Sequence, residues 1–227
     1  MNLFYTQPEK VQEHRLTITG DEARHVIRVL RFKTGDPITV TDGKGNRYEG
    51  RIESSASHHI SVSIENHSSE AKPYDLILAL GIIKNRQRLE FAVEKAVELG
   101  ATEVILFKST HSERQKVNLD RLQAIALSAM KQSLRSYLPP VVFKKSLGDA
   151  ISGHSSHDLI VGHEKQKSRS PAFFELNKNH LVLIGPEGGF SDEEIHFLTE
   201  KRAAIVSLGK YRLRSETAAA ALLSRFT

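Results

Sequence analysis

The stretch from Leu181 to Phe190 constrains the fold of this chain more than any other. It opens with four apolar residues, Leu181 to Ile184, as expected for a strand that is buried on both faces. The residues Gly-Pro-Glu-Gly-Gly follow and cannot continue a strand, and the three glycines allow the backbone to come close to a ligand or to another segment. The sequence therefore predicts a buried strand that ends in a sharp turn.

A helix is predicted directly after this turn. Ser191 is a suitable N-cap, and Glu194 completes a capping box three residues later. Phe190 can form a hydrophobic staple with Ile195 around that cap. The sequence thus predicts a strand, a glycine turn and a helix in direct succession.

A turn of this kind often binds a phosphate, which the N-terminus of the helix attracts. Here neither G-x-x-x-x-G-K-[ST] nor G-x-G-x-x-G is present, and Pro186 has no N–H group to donate. Glu187 also places a carboxylate where a phosphate would bind. A neutral or cationic ligand therefore fits better, and a tight turn without any ligand is the alternative that the residues leave open.

Composition and charge limit the function further. The net charge of +5 and the pI near 9.4 favour a polyanionic partner. The chain contains no cysteine, which excludes disulfides, cysteine-bound metals and a catalytic thiolate. The histidines are scattered along the chain, so no metal site is predicted. We expect a soluble cytoplasmic protein, because no apolar run approaches about 18 residues and the N-terminus lacks a signal-peptide pattern.

Two regions of the chain differ in pattern. Up to residue 70, short alternating strands and a turn at residues 42–46 predict a small β-barrel. The polar stretch 66–73 ends in proline and is the predicted domain boundary. From residue 74 to residue 227, apolar strands alternate with amphipathic helices, which predicts an α/β domain.

A second strand, turn and helix follow at residues 203–223, with the turn at Gly209. The motifs Ile-Gly-Pro-Glu-Gly-Gly-Phe-Ser-x-x-Glu and Leu-Gly-x-x-x-Leu-Arg-x-Glu-Thr-Ala together resemble the SPOUT class of RNA methyltransferases. Within that class the chain is similar to the bacterial 16S rRNA (uracil-N3)-methyltransferase family. Further matches are His-x-x-Arg-Val-Leu-Arg at 25–31, Lys-Asn-Arg at 84–86, Glu-Lys-Ala-Val-Glu-Leu-Gly at 94–100, Ser-Glu-Arg at 112–114 and Gln-Ser-x-Arg at 132–135. Residues 128–131 depart from the family, which more often has a glutamate there.

The resemblance implies a PUA-like RNA-binding domain at residues 1–70 and a SPOUT methyltransferase domain at residues 74–227. The C-terminal segment of a SPOUT domain forms a deep trefoil knot, so the implied fold class is α/β with a knot, preceded by a small β-barrel. The resemblance also implies S-adenosyl-L-methionine as the cofactor, and a homodimer with the knot at its interface. The residues expected to hold the cofactor are Leu80, Ile184, Gly185, Pro186, Glu187, Gly188, Gly189, Leu208, Gly209, Leu213, Ser215, Thr217 and Ala218.

The implied reaction is methyl transfer to N3 of a uridine in the RNA of the 30S subunit. N3 carries a proton at neutral pH, so the enzyme must help to remove this proton or stabilise the anionic uracil. Arg214 can stabilise negative charge on the uracil oxygens, and Glu216 can orient that arginine or accept the proton. An Arg–Glu pair that only braces the loop is the alternative. The expected phosphate contacts are Arg28, Arg31, Lys84, Arg86, Arg114 and Arg135.

Two other functions stay open on the sequence. The chain can be a SPOUT enzyme that acts on tRNA, at a ribose 2′-oxygen for example, or a non-catalytic RNA-binding factor of ribosome assembly. A nucleotide-hydrolysing enzyme is disfavoured because the P-loop lysine is missing.

Overall fold

The computed structural model describes residues 2–72, 74–113, 116–164, 174–175 and 178–226. The chain divides into two compact units. The first comprises Met1–Lys72 and Met130–Leu138, and the second comprises Pro73–Ala129 and Pro139–Thr227. Among the described residues, no helix combines the length and the apolar character that crossing a lipid bilayer requires.

The first unit is built on a five-stranded sheet with the order β1-β3-β4-β5-β2. Its strands are β1 (Leu3–Tyr5), β2 (Arg15–Thr19), β3 (Pro37–Thr41), β4 (Asn46–Ala56) and β5 (His59–Ser69). The β1 and β3 strands pair in parallel, and the other neighbours pair antiparallel. Pairing between the edge strands β1 and β2, which would close a barrel, is not among the ladders of the described residues.

A short helix and a π-helical turn cover the core of this sheet. The α1 helix (Gly20–Arg24) continues directly into the π-helical turn His25–Val29. Ala23 and Val26 are fully buried against β-strand side chains of the core, whereas Arg28 is exposed. This segment of the first unit is therefore helical, and its second half has the wider π-helical turn.

Residues 130–138 belong to the first unit and not to the α/β unit that surrounds them in sequence. The Tyr137 hydroxyl donates to the Glu70 carbonyl at 2.6 Å, and the Thr41 hydroxyl lies 3.1 Å from the Ser136 carbonyl. Lys131 forms a partly buried ion pair with Glu22, with 2.6 Å between Nζ and Oε2. A backbone and side-chain network thus fixes this segment onto the unit, a placement that the sequence pattern did not indicate.

The second unit contains a six-stranded sheet in which every pairing is parallel, with the order β11-β9-β10-β6-β7-β8. The strands are β6 (Leu76–Gly81), β7 (Glu103–Phe107), β8 (Val141–Lys144), β9 (Asp158–Gly162), β10 (His180–Ile184) and β11 (Ala204–Val206). The helices of this part of the chain are α2 (Arg86–Glu98), α3 (Leu119–Gln132), α4 (Leu147–Ile151), α5 (Asp192–Glu200) and α6 (Ser215–Leu223). The predicted α/β class is confirmed.

The register of the central strands aligns their carboxyl ends. In the β10 strand, Ile184 is paired with Leu80 of β6 on one side and with Gly162 of β9 on the other. All five residues of β10 are buried, as the apolar run predicted. The loops that follow β6, β9 and β10 therefore leave the sheet at the same level, which is where open parallel sheets bind their ligands.

Candidate active site

A cavity of about 620 Å³ opens at the carboxyl ends of β9 and β10. This volume lies within the range of about 300–1,000 Å³ that is typical of small-molecule sites. Four parts of the second unit form its wall: α2, the end of β9, the turn after β10, and the loop from β11 into α6. The lining residues are Arg88, Gly162, His163, Glu164, Ile184, Gly185, Pro186, Glu187, Gly189, Phe190, Ser207, Leu208, Gly209, Lys210, Tyr211, Arg212, Leu213, Arg214, Ser215 and Ala218.

The turn after β10 folds tightly back on itself. A Cβ atom at Gly185 would lie 2.8 Å from the carbonyl carbon of Gly189 and 3.0 Å from the amide nitrogen of Phe190. Gly189 itself has a φ of 70°, and its N–H group donates to the Pro186 carbonyl at 2.9 Å. Close approach of the backbone therefore requires glycine at position 185, and a left-handed backbone favours glycine at position 189.

The predicted capping box begins the helix after this turn. The Ser191 hydroxyl accepts from the Glu194 amide at 3.2 Å, and the Glu194 carboxylate accepts from the Ser191 amide at 2.9 Å. The same carboxylate also accepts from the Ser109 hydroxyl at 2.9 Å and from the Thr110 amide at 3.0 Å. Glu194 therefore links the loop after β7 to the start of α5 by hydrogen bonds. The local sequence around Glu194 predicts the capping box but not this link.

Two further contacts brace the glycine turn from outside. The carboxylate of Glu187 accepts from the backbone amide of Lys84 at 2.9 Å, which links the turn to the loop after β6. The Nδ1 atom of His111 lies 3.2 Å from the Gly188 carbonyl oxygen and 3.3 Å from that of Gly189. A carbonyl oxygen can only accept, so this arrangement uses the imidazole form with a proton on Nδ1. The turn is thus held in place before any ligand binds.

The loop between β11 and α6 is anchored near both of its ends. Arg225 donates to the Ser207 carbonyl at 3.2 Å, and Nε of Arg212 lies 2.7 Å from the Glu164 carboxylate. At the end of β9, a Cβ atom on Gly162 would meet Ile184 at 2.6 Å and the Leu208 side chain at 3.0 Å. The absence of a side chain at position 162 therefore lets the end of β9, the end of β10 and the loop from β11 into α6 pack closely around the cavity.

The two predicted catalytic residues have different surroundings. Arg214 is exposed on the cavity wall, immediately before the first turn of α6. Glu216 is buried, does not line the cavity, and lies 3.6 Å from Nε of Arg88, measured from its Oε1 atom. Its Oε2 atom has no hydrogen-bond partner among the described residues. Residues two apart on a helix do not face each other, which explains why Glu216 meets Arg88 and not Arg214.

Most of the predicted cofactor residues line the cavity, and three do not. Leu80 is fully buried in the sheet, Gly188 faces the His111 ring, and Thr217 is exposed on α6 outside the cavity. The predicted residues that do line it are Ile184, Gly185, Pro186, Glu187, Gly189, Leu208, Gly209, Leu213, Ser215 and Ala218.

Sequence reasoning missed several residues of the wall. Gly162 follows a short apolar stretch, as Gly185 and Gly209 follow theirs. The sequence therefore contains a usable signal for Gly162. Arg88 carried no such signal, because it is one of several cations around the start of α2. The other missed lining residues are His163, Glu164, Phe190, Ser207, Lys210, Tyr211 and Arg212.

The predicted phosphate contacts are distributed over both units. Arg28 and Arg31 are exposed and Arg135 is partly buried in the first unit, whereas Lys84 and Arg86 are exposed in the second. Arg114 lies outside the described residues. Lys84 is 2.5 Å from the Glu113 carboxylate, which raises the pKa of this lysine through the hydrogen bond and the opposite charge. Among the described residues, no three His, Asp or Glu side chains come together as a metal site would require.

The sequence matches two family profiles. Residues 70–227 match the RNA methyltransferase domain, and residues 18–65 match the RNA methyltransferase PUA domain. Two curated relatives are both named ribosomal RNA small subunit methyltransferase E. The relative from Rickettsia conorii is 28% identical over 96% of this chain and 91% of its own, and the one from a Synechocystis strain is 30% identical over 96% and 74%.

Solved structures of similar sequence include further RNA methyltransferases. A probable rRNA-methyltransferase from Porphyromonas gingivalis is 34% identical, covers 98% of this chain and 95% of its own, and superimposes with a TM-score of 0.84. A ribosomal RNA small subunit methyltransferase E from Neisseria gonorrhoeae, solved with bound S-adenosyl methionine, is 28% identical over 99% and 95%, with a TM-score of 0.84. The chain therefore belongs to the RNA methyltransferase family in which these ribosomal RNA small subunit methyltransferases E are found.

Proposed function

We propose that this protein transfers the methyl group of S-adenosylmethionine to N3 of a specific uridine in 16S rRNA of the small ribosomal subunit. The observation that carries the proposal is the cavity at the carboxyl ends of β9 and β10, with its tight glycine turn, in a chain similar to an enzyme solved with this cofactor. The names of the relatives support ribosomal RNA as the substrate.

The wall of the cavity fits the proposed cofactor. Ile184, Leu208 and Leu213 supply apolar surface for an adenine ring, and the glycine turn brings the backbone itself to the wall of the cavity. Glu164 and Glu187 place carboxylates among the described residues of the wall, and Glu164 is paired there with Arg212. When bound, the cofactor supplies an electrophilic sulfonium methyl group. The three predicted cofactor residues outside the cavity, Leu80, Gly188 and Thr217, are proposed to act only through the residues of the wall.

The cationic side chains of the wall match the charge that develops on the substrate. N3 becomes nucleophilic as its proton leaves, and the negative charge then spreads onto the uracil oxygens. Arg214 is exposed on the wall and can place its guanidinium group against these oxygens. Glu216 does not reach the cavity, so its proposed role is to position Arg88, which does.

The other parts of the chain are proposed to serve the same reaction. Residues 1–70 are proposed to be a PUA-like domain that binds RNA. Residues 74–227 are proposed to be a SPOUT domain that contains a trefoil knot and forms a homodimer through the knotted segment. The packing of α6 against α2, β6, β9 and β10 supports a C-terminal segment that is embedded in the domain. N3 lies on the Watson–Crick edge, so the target uridine must be unpaired or turned out of its helix. The six predicted cations then hold the surrounding phosphates, which predicts steep salt dependence of RNA binding.

The test is methyl transfer from labelled S-adenosylmethionine to 30S subunits, naked 16S rRNA and bulk tRNA from cells that lack this protein. We expect 3-methyluridine in the small-subunit RNA, identified by nucleoside mass spectrometry. Label in tRNA or on a ribose oxygen would contradict the proposal, and cofactor binding without any transfer would point to a non-catalytic RNA-binding protein.

A further inference from the structure

The side chain of Tyr211 has an unusual position for a large aromatic residue. It is 78% exposed and at the same time lines the wall of the cavity. Aromatic rings contribute large amounts of buried area to cores and interfaces, so an exposed ring at a ligand site indicates a missing partner. From this position we infer that Tyr211 stacks against a nucleobase of the RNA substrate at the mouth of the cavity. This inference rests on the proposed function.

The charge around Tyr211 favours a nucleotide over an apolar partner. Residues 207–215 contain three cations, Lys210, Arg212 and Arg214, and no carboxylate. Nζ of Lys210 lies 5.6 Å from the centroid of the Tyr211 ring. An aromatic ring with a cation beside it, on a loop that carries further cations, is the arrangement that single-stranded nucleic acids meet on their binding proteins, where bases stack and phosphates pair with the cations.

The loop presents the ring from a fixed position. Arg212, the next residue, is held by the Glu164 carboxylate at 2.7 Å, and Ser207 is held through its carbonyl by Arg225. Gly209 adopts a φ of 145°, which a residue with a side chain rarely does, two residues before the ring. Contacts on both sides of Tyr211 therefore hold the loop that carries its exposed ring. Because the loop is held in this way, little ordering of it is needed when RNA binds.

Stacking at this place would meet a specific need of the reaction. A uridine whose N3 is to be methylated is unpaired or turned out of its helix, and a base that is turned out loses the stacking with its neighbours. An aromatic side chain at the mouth of the cavity replaces part of this stacking and fixes the plane of a base. Tyr211 thus acts on RNA affinity and base orientation, whereas the cofactor is held by the glycine turn.

A fluorescence experiment tests the contact directly. The chain contains no tryptophan, so Tyr211→Trp introduces a single tryptophan, whose emission reports on this position. We expect saturable quenching of its emission when single-stranded RNA that contains the target sequence is added. Phe91→Trp is the matched control, because Phe91 is 43% exposed on α2 and is not part of the cavity. Equal response of both variants to RNA would overturn the inference.

The same variant tests the main rival for the missing partner, a second copy of this chain. If a partner subunit covered position 211, the tryptophan emission would be blue-shifted without RNA and would depend on protein concentration. That result would overturn the inference. A solvent-exposed emission spectrum that is independent of protein concentration and changes only with RNA would support it.

Kinetics separates this inference from the proposed function. We expect Tyr211→Leu to raise the KM for RNA roughly tenfold to hundredfold, in line with the contribution of one stacked base. The Kd for S-adenosylmethionine should stay unchanged, and Tyr211→Phe should behave as the wild type. If the wild type makes 3-methyluridine and Tyr211→Leu keeps its KM, only the inference fails. If the wild type makes no 3-methyluridine, the proposed function fails, and the quenching experiment still decides the stacking.

Discussion

The Oε1 atom of Glu216 lies 3.6 Å from Nε of Arg88, and this ion pair joins the first turn of α6 to α2. The two partners differ in exposure, because the Glu216 side chain is only 9% exposed and that of Arg88 is 35% exposed. The carboxylate also lies at the N-terminus of α6, where the helix dipole favours negative charge. The pair therefore connects the cavity wall to a buried charge behind it.

This asymmetry predicts unequal losses of stability. Arg88→Ala leaves a buried carboxylate without its counter-charge, so we expect the free energy of unfolding to fall by about 1–3 kcal/mol. Glu216→Gln leaves a partly exposed guanidinium that water can solvate, and should cost less than about 1 kcal/mol. Urea denaturation of both variants measures this difference. In the double variant, Glu216→Gln should restore part of the loss caused by Arg88→Ala; strictly additive losses would show that the two residues do not interact.

Arg214 is predicted to act in catalysis and not in cofactor binding. Arg214 is exposed on the wall of the cavity, and the contacts described for the glycine turn come from Lys84 and His111. We expect Arg214→Ala to lower the single-turnover rate of methyl transfer about 100-fold, as loss of one electrostatic stabiliser does, with an unchanged Kd for S-adenosylmethionine. Arg202→Ala is a control at an exposed arginine beyond α5 and should leave the rate unchanged. A near-normal rate for Arg214→Ala would remove this residue from the mechanism.

Local chemistry made part of this site predictable from the sequence. The buried strand β10, the turn after it and the capping box of Ser191 and Glu194 depend on neighbouring residues, and each was found where the sequence placed it. The Arg88–Glu216 pair depends on the packing of α2 against α6, and the residues around Arg88 contain no pattern that specifies this packing. Residues 130–138 include the Gln-Ser-x-Arg match at 132–135, which does not indicate their association with the first unit, because that association depends on distant hydrogen-bond partners. Knowledge of the fold was therefore needed for both.

The glycine turn predicts a large effect of a single methyl group. A Cβ atom at position 185 would lie 2.8 Å from a backbone carbon, and the backbone cannot move aside as a flexible side chain can. We expect Gly185→Ala to cost about 1–3 kcal/mol of stability through overpacking. Because the turn forms part of the cavity wall, the affinity for S-adenosylmethionine should fall at least about tenfold, a loss of about 1.4 kcal/mol in binding free energy by calorimetry.

Gly148→Ala provides the matched control for this substitution. Gly148 lies in α4, and the nearest atom to an added Cβ is the Ser146 hydroxyl at 3.7 Å, an ordinary contact. Alanine favours a helix over glycine by about 1 kcal/mol, so this variant should be as stable as the wild type or slightly more so. Equal behaviour of Gly185→Ala and Gly148→Ala would show that the turn tolerates a side chain.

The acid sensitivity of the protein is predicted to depend in part on Glu90. Its carboxylate accepts hydrogen bonds from Arg121 at 2.5 Å and from Arg86 at 2.7 Å, and these lower its pKa from 4.5 to about 2. A group whose pKa is lowered by folding stabilises the folded state above its ordinary pKa, and this stabilisation is lost as the pH falls toward the folded value. The contribution of Glu90 is therefore complete above about pH 4.5 and disappears toward pH 2.

Removal of this carboxylate should make the free energy of unfolding depend less on pH between about 4.5 and 2. We expect Glu90→Gln to be less stable than the wild type at neutral pH, with a difference that shrinks as the pH falls from 4.5 toward 2. Urea denaturation at several pH values in this window measures the difference. Glu13→Gln is the control, because that side chain is 89% exposed and lies 3.9 Å from the ring of His14, which is itself exposed. A difference between the wild type and Glu90→Gln that stays constant across the window would show that the two arginines do not hold this carboxylate in its charged form.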